Sequence, residues 1–369
     1  MKELVRRIAD RMVDKVVPHV EAQACGWEGY CKCTGGAIYL YYCDRAGGRE
    51  AGGRVQAAEK QAVGKQAAGV QAAGVQVAGK RVAGKRVVIG LEDPAPPRMR
   101  AVLAAHGIVV PLAVHEEGAR PEPIPGDCDI VVLMPERNDP LGVRMSSERR
   151  QRIADWAAQR GRLVVEPAAD GVFNVGGSPL PSLMAIGDAG STVMIGTFTE
   201  VLTPAAQLAY LVVPRRLAEV LADRVSSGRE QPSAVCQRAI AELLSSGSVA
   251  RRLARLPSLY QPKRLLVRAA LGGFAEVGLV GTDSGSSATL LLPADVRAAE
   301  IVRSLRHAEL IATDLTAYCH PNGHHRNGVV LGYGHLDDMT LRRATRLITH
   351  TLNDHGLARR NLRYRRTVA

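Results

Sequence analysis

Aromatic side chains are scarce in this chain: three Phe, two Trp and nine Tyr make up 4% of 369 residues. Hydrophobic residues still reach 46%, enough for a sizeable core whose packing must be aliphatic. Long apolar runs are missing too. None approaches the ~18–20 residues that a membrane-spanning helix needs, and the N-terminus has no apolar stretch of the secretory kind. The expected location is the cytoplasm, with no membrane partner. Carboxylates are the minority, 36 Asp and Glu against 48 Lys and Arg, which leaves a net charge of +12. Such an excess suits nucleic acid, anionic metabolites or charged surfaces without choosing among them. Arg359, Arg360, Arg363, Arg365 and Arg366 form a basic end. It reads first as a solvated tail and second as a nucleic-acid contact, with Tyr364 its one interleaved aromatic.

Cysteine is unevenly used. Four of the seven, Cys25, Cys31, Cys33 and Cys43, crowd into a short stretch, and an odd total argues against a full disulfide framework. Their spacing fits no standard zinc pattern. Ahead of them, Leu4, Val5, Ile8, Met12, Val16 and Val17 recur at helical spacing between Arg6, Arg7, Arg11 and Lys15. That is a short basic amphipathic helix ending at Pro18. Residues 1–48 thus form a basic helix with a Cys/Tyr-rich segment. Residues 49–87 are low-complexity: VGKQA, AGVQA, AGVQV, AGKRV and AGKRV follow one another from Val63. A five-residue period fits neither helix nor strand, and its repeated glycines weaken a helix by ~1 kcal/mol each. The expectation is a flexible basic linker.

From residue 88 the pattern is that of an α/β protein. Pro96 and Pro97 precede an apolar-periodic helix from Met99 to His106, closed by Gly107. Ile108–Leu112 reads as a strand, and 129–134 is a continuous apolar run typical of a strand buried on both faces. Ser146 or Ser147 caps a helix that Gly161 ends, and Leu163–Val165 opens the next buried strand. Strand, helix, strand at this spacing implies a mostly parallel sheet with flanking helices. Thr192–Ile195 and Leu208–Val213 are further apolar runs. After about residue 215 longer helices take over, with strands at Ala288–Leu292 and Val329–Leu331 and a capped helix over Leu336–His355. That describes a large domain over 88–225, a smaller α+β C-terminal domain over 226–356, and a basic tail over 357–369.

Four blocks carry a family resemblance. They are Glu92-Asp93-Pro94 with Arg98; Met134 to Val143 (MPERNDPLGV); Val165 to Phe173 with Pro179 to Leu183; and Gly196 to Pro214 (GTFTEVLTPAAQLAYLVVP). Together they resemble the aminotransferase class I/II domain of pyridoxal-phosphate (PLP) proteins of fold type I. The version most similar is the one fused to winged-helix DNA-binding domains in GntR/MocR-type regulators, over about residues 88–350. The last block is long and aligns without gaps. Ala317-Tyr318 and Val330 to Gly334 match the C-terminal domain more weakly.

The resemblance implies PLP as cofactor, a homodimer, and a set of contact residues, and the chain departs from that set. Glu200 stands at the position of the Schiff-base lysine, and a carboxylic acid cannot form an imine with an aldehyde. Pro167 replaces the aspartate that pairs with the pyridinium nitrogen, Ala169 a cofactor-bonding tyrosine, and Gln207 a phosphate-side arginine. Asp139 stands where related enzymes have asparagine. Thr197 and Thr199 keep hydroxyls on the phosphate side, and Asp170 is a distant stand-in for the ring partner. Arg326 is the nearest counterpart of the substrate-carboxylate arginine. The Gly/Ala-rich turn that would supply backbone N–H groups to the phosphate is not legible, so the front of the large domain is expected to be missing. Residues 1–48 do not resemble a winged helix. Glu136, Arg137 and Asp139 read as a solvated loop, and Cys319, His320, His324 and His325 as a polar surface loop rather than a metal site.

Three readings follow. The first is a catalytically inactive remnant or regulator-type domain on a PLP-type fold. The second is a PLP-dependent aminotransferase or PLP-binding transcriptional regulator. The third is a peptide-carrier or interaction protein acting through the Cys-rich N-terminus, which resembles short cysteine-rich peptide precursors.

Overall fold

A computed structural model describes residues 30–32, 38–43, 86–122, 124–167, 180–187, 190–198, 201–202, 208–214, 216–218, 220–222 and 233–359. The amphipathic helix expected over residues 4–17, the pentapeptide repeats up to residue 85 and the basic tail beyond Arg359 lie outside these residues.

The main sheet grows from apolar runs whose alternate residues face opposite sides. In chain order its strands are β1 (Tyr30–Lys32), β2 (Ile38–Cys43), β3 (Val88–Asp93), β4 (Ile108–His115), β5 (Gly118–Ala119), β6 (Ile130–Val132), β7 (Leu163–Pro167), β8 (Thr192–Thr197) and β9 (Leu208–Val213). Their spatial order is β1-β2-β9-β8-β7-β6-β3-β4-β5. The five central strands, β8, β7, β6, β3 and β4, are parallel, and the flanking pairs are antiparallel.

Both faces of the parallel strands are covered, as such sheets require. Ile89, Leu91, Ile130, Val132, Val165, Val193 and Leu211 share one face with Met99 and Leu103 of α1 (Pro97–His106). Val88, Val131, Leu133 and Val164 share the other with Ile153 and Ala157 of α2 (Ser147–Arg160). The first of these clusters contains no aromatic residue, as the composition led us to expect. The helix ends follow their sequence signals. Pro97 occupies the first turn of α1, the Ser146 side chain accepts from the Arg149 N–H at the start of α2, and Gly161 ends α2 in the left-handed conformation at φ 58°. A four-residue helix, α3 (Leu183–Ile186), leads into β8.

Val88–Asp93, whose end carries the first family block, is a fully buried central strand. The Cys/Tyr-rich segment was set apart from the globular section, whereas its two strands join the main sheet. β2 pairs antiparallel with β9 over six residues, from Ile38 opposite Val213 to Cys43 opposite Leu208. The β9 edge of the main sheet is therefore taken by residues from before the linker.

The C-terminal part has its own sheet and core. Helices α4 (Ala234–Ser245) and α5 (Ser248–Leu271) lead to β10 (Gly278–Val280) and β11 (Ser287–Leu291). Then follow α6 (Ala298–His307), β12 (Thr313–Asp314), a 3-10 turn (Leu315–Tyr318), β13 (Gly328–Gly332) and α7 (Asp338–Asp354). The sheet order is β10-β11-β13-β12, antiparallel throughout. Leu290, Ile301, Leu305, Val329, Leu341 and Leu352 fill the space between this sheet and its helices. Asp337 caps α7 by accepting from the Thr340 N–H at 2.9 Å. Among the described residues no helix is long and apolar enough to cross a membrane.

Candidate functional site

Strand order reverses between β3 and β6. The chain runs from β3 outward to β4, then returns to place β6 on the other side of β3. In open α/β sheets the crevice outside the C-terminal ends of the strands at such a reversal is where ligands bind. That edge collects Asp93 from β3, the 133–146 loop after β6, Pro167 from β7, and Thr197 and Phe198 from β8. Pro167 lies opposite Ile195 in the parallel register, so the ends of β7 and β8 are adjacent. Asp139, Pro167 and Thr197 are thereby brought to one edge. The Asp93–Pro94 and Asp139–Pro140 peptides are both cis.

The loop after β6 is far from solvated. Arg137 is 3% and Asn138 1% exposed, which corrects the reading of this segment as a surface loop. A short polar run cannot enter a protein interior unless its groups are paired, and these are. The Asn138 amide donates to Glu92 Oε2 at 2.8 Å and to the Pro94 carbonyl at 3.1 Å, and its oxygen accepts from the Leu141 N–H at 3.2 Å. Arg137 donates to the Ser287 carbonyl and hydroxyl at 3.0 and 2.9 Å. The Asp139 carboxylate stays about a third exposed (32%), 3.9 Å from the Arg137 guanidinium.

A second network supports the loop from beneath. Arg150 of α2 is wholly buried. It donates to the carbonyls of Met145, Pro135 and Pro181 and to Glu136 Oε1, at 2.7 to 3.1 Å. Beside it, Glu166 of β7 accepts from the Met184 N–H. Two carboxyls at this edge are therefore removed from water. Burial pushes Glu92 from the ordinary 4.5 up to about 7, against the pull of the Asn138 and Met134 donors. Burial likewise pushes Glu166 up to about 7, opposed by the Arg150 charge. Glu92 and Glu166 entered the sequence reading only as members of the family blocks, and Arg150 was not singled out. A charged residue in an otherwise polar pattern gives no sign that distant carbonyls will enclose it.

At the β8 end, Thr197 Oγ1 donates to the Leu208 carbonyl at 3.5 Å. Gly196 is required by space: any Cβ there would overlap the Tyr210 ring, which packs on Phe198 with centroids 5.4 Å apart. Glu200, Thr199, Ala169, Gln207 and Asp170 lie outside the described residues. Arg326 reaches this edge on its β4 side: its guanidinium donates to the Val114 carbonyl at 2.7 Å, one residue beyond Ala113, which lies opposite Asp93 in the parallel register. The His320 N–H donates to Asp93 Oδ1 at 2.7 Å, while His324 and His325 are exposed. Among the described residues, no group of three or more His, Cys, Asp and Glu is arranged to hold a metal ion.

No family model matches the chain. A curated relative, the HTH-type pyridoxine biosynthesis transcriptional regulator PdxR of Corynebacterium glutamicum, is 33% identical over 259 residues, covering 69% of this chain and 55% of the relative. The uncharacterized HTH-type transcriptional regulator YhdI of Bacillus subtilis is 29% identical over 262 residues, with the same coverage of 69% and 55%. The chain thus spans about half the length of these relatives. Among solved structures, the multiple substrate aminotransferase of Thermococcus profundus superposes with a TM-score of 0.74 at 16% identity, over 96% of this chain and 88% of that one. At that identity the likeness concerns the fold alone. Relatives and fold agree with the four sequence blocks: this chain carries an aminotransferase class I/II domain of the PLP-dependent fold, in the version found in MocR/GntR-type regulators.

Proposed function

We propose that this chain keeps the aminotransferase fold without the reaction, and serves as a regulator-type domain that forms no covalent bond with PLP. One observation carries the reading: the residue after Gly196-Thr197-Phe198-Thr199, where the family holds its Schiff-base lysine, is Glu200. A carboxylate has no nucleophilic amine and cannot hold the aldehyde of PLP. The residues that remain do not fit the cofactor either. Pro167 ends β7 with no ionisable group for the pyridinium nitrogen, and the half-open carboxylate of Asp139 repels a phenolate-like oxygen. The Thr197 hydroxyl is turned to the Leu208 carbonyl.

A second reading, that of a regulator binding PLP without a covalent link, draws support from the regulators that this chain resembles. Dimerisation, implied by the family, and contact with nucleic acid, suited to a net charge of +12, belong to either reading. So does the division into a larger unit over 88–225 and a smaller one over 226–356.

Mixing the purified chain with PLP separates the readings. Ours predicts neither a lysine-type absorbance band nor a borohydride-fixed adduct. Saturable binding in equilibrium dialysis without a fixed adduct supports the second reading. Glu200→Lys is expected to give no transamination, because the ring partner and phosphate contacts stay changed. Turnover in that variant would contradict our assignment of Pro167 and Gln207.

A further inference from the structure

The loop after β6 that carries Asp139 also makes the joint between the two sheets. Toward the first sheet, Asn138 binds Glu92 and the Pro94 carbonyl, and its backbone closes on Val143 and Gly142. Toward the second sheet, Arg137 donates to the Ser287 carbonyl and hydroxyl on β11, and Thr289 Oγ1 donates to the Pro140 carbonyl at 2.8 Å. Thr289 is fully buried and Arg137 almost so. The backbones interlock as well. A Cβ at Gly142 would overlap the Cα of Gly281, and a Cβ at Gly285 would overlap the Arg137 guanidinium. All three glycines have positive φ, 72°, 80° and 74° for Gly142, Gly281 and Gly285, so no other residue would sit there without strain.

We propose that this loop and the β10–β11 hairpin form one rigid joint pinned by Arg137, so that displacement of Asp139 and displacement of the second sheet are transmitted to each other. Arg137 lies between the two, 3.9 Å from Asp139 and hydrogen-bonded to Ser287. Buried hydrogen bonds to a charged group are costly to break, and packed interfaces shift between discrete arrangements rather than deform continuously. Any ligand that moves Asp139 therefore shifts the second sheet, and by linkage anything bound to the second sheet shifts Asp139. This coupling does not depend on whether PLP binds.

Hydrogen–deuterium exchange on the full chain, without added ligand, tests it. Arg137→Ala is the direct variant. Ser287→Ala combined with Thr289→Val, which removes two of the cross-joint hydrogen bonds while keeping side-chain volume, is the mild one. Each is expected to speed exchange by about tenfold in both 138–143 and 281–287, with α2 unchanged. The mild variant decides the matter if Arg137→Ala does not fold. Acceleration confined to one of the two segments, or absent from both, overturns the proposal.

Discussion

Replacing Glu92 with Gln is expected to remove part of a stability loss that the native chain undergoes between pH 5 and pH 8. The Glu92 carboxyl is 2% exposed, and burial raises it from 4.5 to about 7 although Asn138 donates to it. The fold therefore holds a proton that the unfolded chain releases from about pH 4.5 upward. A raised folded-state value means that the contribution is complete below 4.5 and is lost as pH rises through about 7. At about 1.4 kcal/mol for each tenfold change in the proton equilibrium, ionising Glu92 inside the fold costs about 3 kcal/mol at pH 8. Gln is neutral at both pH values and keeps an oxygen for Asn138. Urea unfolding of both proteins at pH 5 and pH 8 should show similar stability at the lower pH. At the higher pH, Glu92→Gln should be more stable by about 3 kcal/mol. Glu166, raised for the same reason, leaves a residual pH dependence in both. An equal drop in the two proteins would refute the argument that burial of Glu92 governs its proton.

Three further outcomes follow from the packing. Gly142→Ala forces a side chain into the Gly281 backbone at φ 72°; a loss of about 3 kcal/mol should appear in denaturant unfolding, and a neutral result would mean that the joint yields. Arg150→Met removes four donations from inside the fold, to Glu136 and to the carbonyls of Met145, Pro135 and Pro181; a cost of about 3 kcal/mol is expected in the same assay. Deleting residues 1–48 strips β2 from the wholly buried β9 and exposes a sheet edge. Light scattering should then show aggregation, and a monodisperse product with an unchanged melting temperature would count against β2 as part of the sheet.

Legibility in the sequence depended on how local each signal was. Ser146, Gly161 and Pro97 marked helix ends that formed close to where expected, because a cap is decided within four residues. The apolar runs at Ile130, Leu163, Thr192 and Leu208 became strands because burial on both faces leaves a continuous apolar signature. Val88–Asp93 was legible as a motif at its Glu-Asp end and not as a strand, because its apolar part directly follows the basic repeats. The pairing of β2 with β9 joins residues far apart in sequence, and nothing local specifies a partner. The same holds for the Arg137–Ser287 contact, which spans 150 residues. At the site, the residue identities at 139, 167 and 200 were readable from the motif, whereas the burial of Glu92, Asn138, Arg150 and Glu166 arises only when separate strands meet.

The most direct measurement is borohydride reduction of the full chain after incubation with PLP, followed by peptide mass mapping. The account predicts no pyridoxyl adduct on a lysine at saturating PLP, since position 200 offers a carboxylate. A stoichiometric adduct on one lysine, with the matching absorbance band before reduction, would contradict it.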